Sequence, residues 1–323
     1  MNKRLSIAEP VASELDKFLS LYRESIKSDN PRIQSIIDYS FRSDGKHVRP
    51  ILLLLTAKAC GEINKTTYLS AITIELLHSA SLIHDDVVDE SMLRRGKPSI
   101  NAEFGNKVAV LAGDYFLSSA LKISIVTGDI RILSEISSLG KNLAEGELNQ
   151  LSLVKEIILS EEEYFSVINK KTASLISACT KLGASSVGAS EKKILLFEKF
   201  GEYLGICFQL RDDIFDYFAN DVGKPTGNDI REGKITLPLL YALKKTDSQE
   251  VKSMLNIIES ADFTEKNISK LIEFAKKEGG IEYTYSKIAI YKQKAIDLIE
   301  QISDPDSRTS LMNAINYIVD RNI

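Results

Sequence analysis

The chain has 323 residues, 41 Lys+Arg against 45 Asp+Glu, and a formal net charge of −4. A mildly acidic balance gives no electrostatic footprint for nucleic acid, and the three cysteines (Cys60, Cys179, Cys207) lack the paired spacing of a disulfide framework or a zinc site. The length suffices for a large core, no composition break divides it, and only 7 residues are proline, so one domain of long helices spanning 1–323 is expected.

Met1 to Pro10 lacks the apolar run of a signal peptide, and no stretch of about 18 consecutive apolar residues reads as a membrane span. A cytoplasmic protein is expected. Ile7, Val11, Leu15, Phe18, Leu19, Tyr22 and Ile26 recur at helical spacing, and Asp29-Asn30-Pro31 ends that pattern. A second helix starts near Ile33, and a polar turn over 43–50 opens into a helix over Ile51–Ala59. Gly61 to Thr67 reads as a loop, and Tyr68 to Asp89 as one long helix. Ser91 to Gly105 is a polar loop. Helical pattern resumes over Val108–Val126 and Ile130–Leu151. Ser160 followed by three glutamates predicts an N-cap and a helix running to about Gly183. Glu191 to Phe218 is a further long helix, Ala219 to Gly233 a loop, and helices follow to the end with breaks near Thr246, Ala261, Gly279 and Pro305. Almost nothing alternates as a strand would. The expected fold class is all-α, a large helical bundle.

The chemistry concentrates in two echoing pentapeptides, Asp85-Asp86-Val87-Val88-Asp89 and Asp212-Asp213-Ile214-Phe215-Asp216. Both sit within apolar helical sequence, where carboxylates are costly unless paired or metal-bound. On a helix, Asp85 and Asp89 are i,i+4 neighbours that repel one another without a counter-cation. Hard oxygen ligands suit Mg²⁺, which bridges carboxylates to substrate phosphates. Basic residues accompany the acids: Lys46 and Arg49 open an early helix, Arg94 and Arg95 follow the first cluster, Lys171 lies mid-chain, and Lys224, Arg231 and Lys234 follow the second. Such cations neutralise phosphoryl oxygens. Any one of them taken singly is an ordinary surface residue, and a lone acidic triad is an ordinary solvated helix end; the recurrence is what points to diphosphates.

Gly45-Lys46-His47-Val48-Arg49-Pro50, the run from Leu77 to Asp89 with His78, Arg94-Arg95-Gly96-Lys97-Pro98, Lys171-Thr172, Gln209 to Asp216, and Gly223-Lys224-Pro225 through Lys234 to Pro238 resemble, in order, the trans-type polyprenyl diphosphate synthases. The likeness runs from about Asp44 to Pro238. The family's frequent Gly-Gly-Lys-Arg is here Asp44-Gly45-Lys46-His47. The resemblance implies a helical isoprenoid-synthase-like bundle around a central cavity, and Mg²⁺ ions, three in number, that Mn²⁺ can replace. It implies Asp85, Asp89 and Asp212 as direct ligands, with Asp86, Asp213 and Asp216 acting directly or through water. Arg94, Lys171, Gln209, Lys224 and Lys234 would hold an allylic diphosphate, and Lys46, Arg49, His78 and Arg95 would hold isopentenyl diphosphate. Thr172 and Gln209 would stabilise an allylic cation by their dipoles. A homodimer through the Val108–Val126 helix is expected, with the product passed to membrane enzymes.

Ala80 and Ser81 lie one turn before Asp85, where a large side chain would close a prenyl tunnel early. Small residues there lead to the expectation of a long product, about C30 to C50, because each helical turn advances only about 5.4 Å. Such a product would serve quinone side chains. Leu77, Tyr115 and Phe116 are the candidate tunnel floor. Three other readings compete: a farnesyl or geranylgeranyl diphosphate synthase, a class I terpene cyclase, and a non-catalytic subunit of a heteromeric synthase. The intact second aspartate cluster and the Lys46, Arg49, His78 set argue against the cyclase, and the uneroded motifs argue against the non-catalytic subunit.

Overall fold

A computed structural model of the chain describes residues 7–42, 45–153, 160–218, 226–245 and 248–320, with the backbone alone over 149–153. These residues are all-α apart from one two-residue hairpin, and they group into two compact units. Asp44 and Lys224, both singled out above, lie outside the described residues.

The first unit takes Met1–Lys141, Ala178–Glu198 and Ile302–Ala314. A 3₁₀ turn at Glu9–Val11 leads into α1 (Ala12–Ser25), and α2 (Pro31–Phe41) starts at a proline behind Asn30, whose side chain accepts from the Arg32 N–H. In α3 (Val48–Cys60) the run Ile51–Leu54 is completely buried and Leu55 nearly so. A helix apolar on every side belongs at the centre of its unit, each such side chain contributing about 1.5–3 kcal/mol. α4 (Lys65–Val88) packs against α3 and α1. It begins three residues earlier than its apolar periodicity suggests, because Asn64 and Thr67 close a reciprocal capping box. Its buried Ser70 and Thr73 return their hydroxyls to the carbonyls of Thr66 and Leu69, both at 2.8 Å.

The stretch 91–105, expected as a plain loop, folds into a hairpin, β1 (Leu93–Arg94) against β2 (Lys97–Pro98), and a short α5 (Ile100–Phe104). Arg95 and Gly96 both adopt positive φ, 52° and 75°, which is the two-residue turn that matches strand twist. α6 (Asn106–Val126) then packs along α4. By length and composition alone α6 is apolar enough to cross a membrane. It carries Asp114 and Lys122, and Gly113 lets it approach α4 so closely that a Cβ there would sit 2.2 Å from the His84 ring.

α7 (Ile130–Leu153) leads to the second unit: Asn142–Ser177, Lys199–Gln301 and Ile315–Ile323. Ser160 caps α8 (Glu161–Ile168) by accepting from Glu163 N–H. The single helix expected to continue to Gly183 is interrupted by a π-helical turn at Asn169–Ala173 before α9 (Ser174–Ser186). α10 (Glu191–Phe215) stops at Phe215, and within the expected loop after it lies a one-turn α11 (Asn228–Arg231). α12 (Leu237–Lys245), α13 (Gln249–Glu259), α14 (Glu265–Lys277), α15 (Gly280–Ile299) and α16 (Pro305–Val319) complete the chain. α12 packs against α14 and α15, the latter through Gly280, where a Cβ would fall 2.0 Å from the Pro238 carbonyl oxygen.

Candidate active site

The first unit presents its acids at the C-terminal end of α4. Asp85 is half-buried, Asp89 is the exposed C-cap, and Asp86 is 4 % exposed. The buried one is neutralised: Arg94 donates from Nε to both Asp86 oxygens at 2.8 and 2.9 Å and from Nη2 to Oδ1 at 2.6 Å. The helix end is braced by the loop that supplies this arginine. Asn101 donates to the backbone carbonyls of Asp86 (3.2 Å) and Ser91 (3.1 Å), and Ser99 Oγ donates to Ser91 O at 2.7 Å. His84 Nε2 lies 3.2 Å from the Val110 carbonyl and 3.5 Å from Asp114, so its ring faces α6.

Three turns into α4 a second group gathers. His78 is buried, and burial together with Arg49, Arg95 and Arg94 holds its imidazole well below the usual histidine range. It is therefore neutral at physiological pH and presents one N–H. Glu75, one turn earlier, had no place in the sequence reading. It is 8 % exposed, burial raises its carboxyl, and Arg49, His47 and Arg95 pull it back. Its Oε1 accepts no hydrogen bond among the described residues. The signal for it is a glutamate among the apolar positions of a long helix. His47 caps α3 at a left-handed φ of 48°, and the Arg95 guanidinium lies over Gly45, 2.8 Å from where a Cβ would stand. Lys46 is exposed. Of the residues expected around isopentenyl diphosphate, Arg49, Arg95 and His78 thus share one electrostatic neighbourhood.

The expected tunnel residues are also on α4 and α6. Leu77, Ala80 and Phe116 are buried, Ser81 and Tyr115 half-buried. Ser79 faces α1, where its hydroxyl meets Tyr22 Oη at 3.2 Å.

In the second unit the π turn carries Lys171 and Thr172. Lys171 pairs with Glu147 at 2.6 Å, and Gly146 of α7 lies against its backbone. Gly205 of α10 sits so close that a Cβ would be 2.5 Å from Ala173 Cα. That approach brings Gln209 to Thr172, whose Oγ1 donates to Gln209 Oε1 at 2.6 Å. Gln209 Nε2 donates to Asp213 Oδ1 at 2.8 Å, and Tyr164 donates to Asp213 Oδ2. Asp213 is 2 % exposed; burial first, then Asp229, push its carboxyl up to about 8, against the pull of those two donors. Asp229, another residue the sequence reading passed over, is pushed up to about 7 by burial and then by Asp216. Asp216 accepts from the Asn228 and Asp229 N–H groups at 2.8 and 3.0 Å, tying α11 to the end of α10. Asp212 is half-buried, and Lys234 pairs with Glu232 at 2.5 Å.

Among the described residues no three His, Cys, Asp or Glu side chains close around one point. The donor set itself is all carboxylate oxygen: in the second unit Asp229 and Asp212 raise the pKa of Asp213, and Asp216 and Asp212 that of Asp229, the mark of a place where added positive charge is favourable. That chemistry fits a hard divalent cation such as Mg²⁺.

Residues 30–275 match the model of a family described as polyprenyl synthetase. The chain is 36 % identical over 299 residues to an octaprenyl diphosphate synthase of Haemophilus influenzae, covering 92 % of this chain and 91 % of that one. Among solved structures it resembles a decaprenyl diphosphate synthase from Rhodobacter capsulatus, with 32 % identity, coverage of 98 % and 99 % and a TM-score of 0.93. It also resembles a geranylgeranyl pyrophosphate synthase from Bacteroides thetaiotaomicron, with 42 % identity, coverage of 99 % and 100 % and a TM-score of 0.87.

Proposed function

The chain belongs to the polyprenyl synthetase family, and on that premise we propose that it condenses isopentenyl diphosphate with an allylic diphosphate to build a long all-trans polyprenyl diphosphate. The observation that carries the reading is the division of labour at the end of α4. Asp86 is buried and gripped by Arg94, while Asp85, half-buried, and Asp89, exposed, stand one turn apart at the same helix end.

In this reading Asp85, Asp89 and Asp212 are the direct Mg²⁺ ligands. Asp86, Asp213 and Asp216 hold their surroundings and act on the ion directly or through water. When bound, Mg²⁺ supplies the positive charge that a departing diphosphate needs. Lys171, Lys224, Lys234, Gln209 and Arg94 hold the allylic diphosphate. Lys46, Arg49 and Arg95 hold isopentenyl diphosphate, with neutral His78 as a hydrogen-bond donor. Ionisation breaks the bond from the allylic carbon to its diphosphate oxygen. The isopentenyl alkene attacks the cation, and a proton leaves to the released diphosphate, so no side-chain nucleophile is needed. Thr172 and Gln209 stabilise the cation through their dipoles.

Ala80, small and buried on α4, supports an open tunnel and hence a long product for quinone side chains. The 42 % identity to a geranylgeranyl pyrophosphate synthase favours a second reading, a medium-length product. A homodimer is supported by the exposed Val110, Leu111, Ile125 and Val126 of α6. Incubation with isopentenyl diphosphate, Mg²⁺ and geranyl, farnesyl or geranylgeranyl diphosphate, with products sized after dephosphorylation, tests both readings. Folded protein that elongates none of the three starters refutes the proposal, and a product that stops at geranylgeranyl selects the second reading.

A further inference from the structure

We infer that Tyr164 is a positioning residue that sets the hydrogen-bond polarity of Gln209 and Thr172 for the ionisation step. The inference rests on the proposed function and adds a residue outside the sets assigned there. Four side chains form one chain of hydrogen bonds: Tyr164 to Asp213, Gln209 to Asp213 at 2.8 Å, and Thr172 to Gln209 at 2.6 Å. Its direction follows from the geometry. Both Asp213 oxygens accept, Oδ2 from Tyr164 and Oδ1 from Gln209 Nε2, so the Gln209 amide turns its NH₂ toward Asp213 and its carbonyl toward Thr172. Thr172 has a single hydroxyl hydrogen, which that carbonyl takes. What Thr172 retains for any neighbour is oxygen lone pairs, the end of the dipole that favours a developing allylic cation. With the amide turned over, Thr172 would accept instead, and its hydrogen would be available to oppose the cation.

Tyr164 holds the far end of this chain. It is 6 % exposed, and its hydroxyl occupies Asp213 Oδ2, which leaves Oδ1 for the Gln209 amide. Without it, a buried carboxylate oxygen would lose its donor and compete for the amide hydrogens. The backbone serves the same geometry. The π turn at 169–173 widens the backbone where Thr172 sits, so its side chain leaves the face that a continued α-helix would give it. Gly205 lets α10 approach closely enough for the 2.6 Å contact.

The test is steady-state kinetics of the full chain as wild type, Tyr164→Phe, Thr172→Val and the double variant, with Mg²⁺ and both substrates. Tyr164→Phe should lower kcat roughly tenfold or more while leaving KM for isopentenyl diphosphate within about twofold. The double variant should be slower than Thr172→Val by no more than about twofold, because both act through one chain. An unchanged kcat in Tyr164→Phe, or losses that multiply in the double variant, overturns the inference. Should Tyr164→Phe fold poorly, Thr172→Val by itself keeps the inference falsifiable: a wild-type kcat there shows that the Thr172 hydroxyl does not act on ionisation and overturns the inference, and a kcat loss of about tenfold or more at unchanged KM supports it. A wild type that elongates no starter refutes the proposed function instead. Independently of activity, a crystal structure of Tyr164→Phe should show the Thr172–Gln209 contact lengthened or turned over; an unchanged contact overturns the positioning role.

Discussion

Arg94 grips Asp86 through three hydrogen bonds of 2.6 to 2.9 Å, joining two residues eight positions apart across the end of α4. The planar guanidinium matches both carboxylate oxygens at once, which an ammonium cannot do. Because Asp86 is buried, removing its partner leaves a charge without compensation. Arg94→Ala should cost about 2–3 kcal/mol, below the full value for a buried pair because the Arg94 side chain is 35 % exposed. The double variant Asp86→Ala/Arg94→Ala should be the more stable of the two, since it removes the stranded charge as well. Urea unfolding midpoints of the three proteins decide this, and a double variant less stable than Arg94→Ala would contradict it.

The same pairing separates the aspartates of the first cluster. Asp85→Asn and Asp89→Asn should raise the Mg²⁺ concentration for half-maximal activity by about tenfold or more with little change in unfolding midpoint. Asp86→Asn should show the converse balance, a lower midpoint from the weakened Arg94 contact. EDTA should abolish turnover and excess Mg²⁺ restore it. Equal metal dependence in all three variants would remove the distinction between accessible and buried acids.

Gly205 is required by contact, with no positive φ involved. A methyl group there would meet Ala173 backbone at 2.5 Å and its Cβ at 3.0 Å, and neither helix has a flexible side chain to yield. Gly205→Ala should destabilise by about 1–3 kcal/mol despite the better helix propensity of alanine, and kcat should fall as Gln209 draws away from Thr172. Thermal unfolding and kinetics of the one variant check both parts; a stabilised, fully active protein would show that the two helices separate freely.

His78 predicts a pH dependence of stability. Its folded pKa lies well below the ordinary value of about 6.5 because of burial and then Arg49, Arg95 and Arg94. The unfolded chain therefore binds the proton more readily. The stabilisation is complete above about pH 6.5 and is lost as pH falls from there toward the folded pKa, with a slope of up to about 1.4 kcal/mol per pH unit from this one group. Urea midpoints at pH 7.5 and 5.5 for wild type and His78→Asn should show a shallower acid loss in the variant. An equal loss would assign the acid limb to other groups.

Ala80 offers the test of product length. It is 2 % exposed on α4. Ala80→Tyr should shorten the product by several isoprene units, since the blocking ring stands about one turn, some 5.4 Å, from the level of the acids. Chromatography of dephosphorylated radiolabelled product reads the result directly, and an unchanged length would move the tunnel to another face of the helix.

What could be read from sequence was local. The 3.6-residue recurrence of apolar side chains is a property of one helix, so the all-α class and most helix positions were legible, as was the Ser160 cap. The π turn was not, because one extra residue in a turn leaves no composition signal. The hairpin at 93–98 shows no strand alternation, its strands being two residues long, although Arg95-Gly96 is turn-forming, and Asn64, a strong N-cap residue, stands before the first apolar repeat of α4. Glu75 and Asp229 were passed over because a lone acid in an apolar or polar run has no pattern of its own.

By itself the sequence determined the inventory: two aspartate pentapeptides on apolar helices, the cations that accompany them, and the family they identify. The tertiary structure alone decided which protein partners those groups meet. Arg94 on Asp86, Lys171 on Glu147, and Tyr164 and Gln209 on Asp213 are pairings set by how closely helices and loops approach, and Gly146 and Gly205 permit the approach around the π turn by lacking a side chain. The strength of a charge depends on its burial and its partner, and both come from packing between segments distant in the chain.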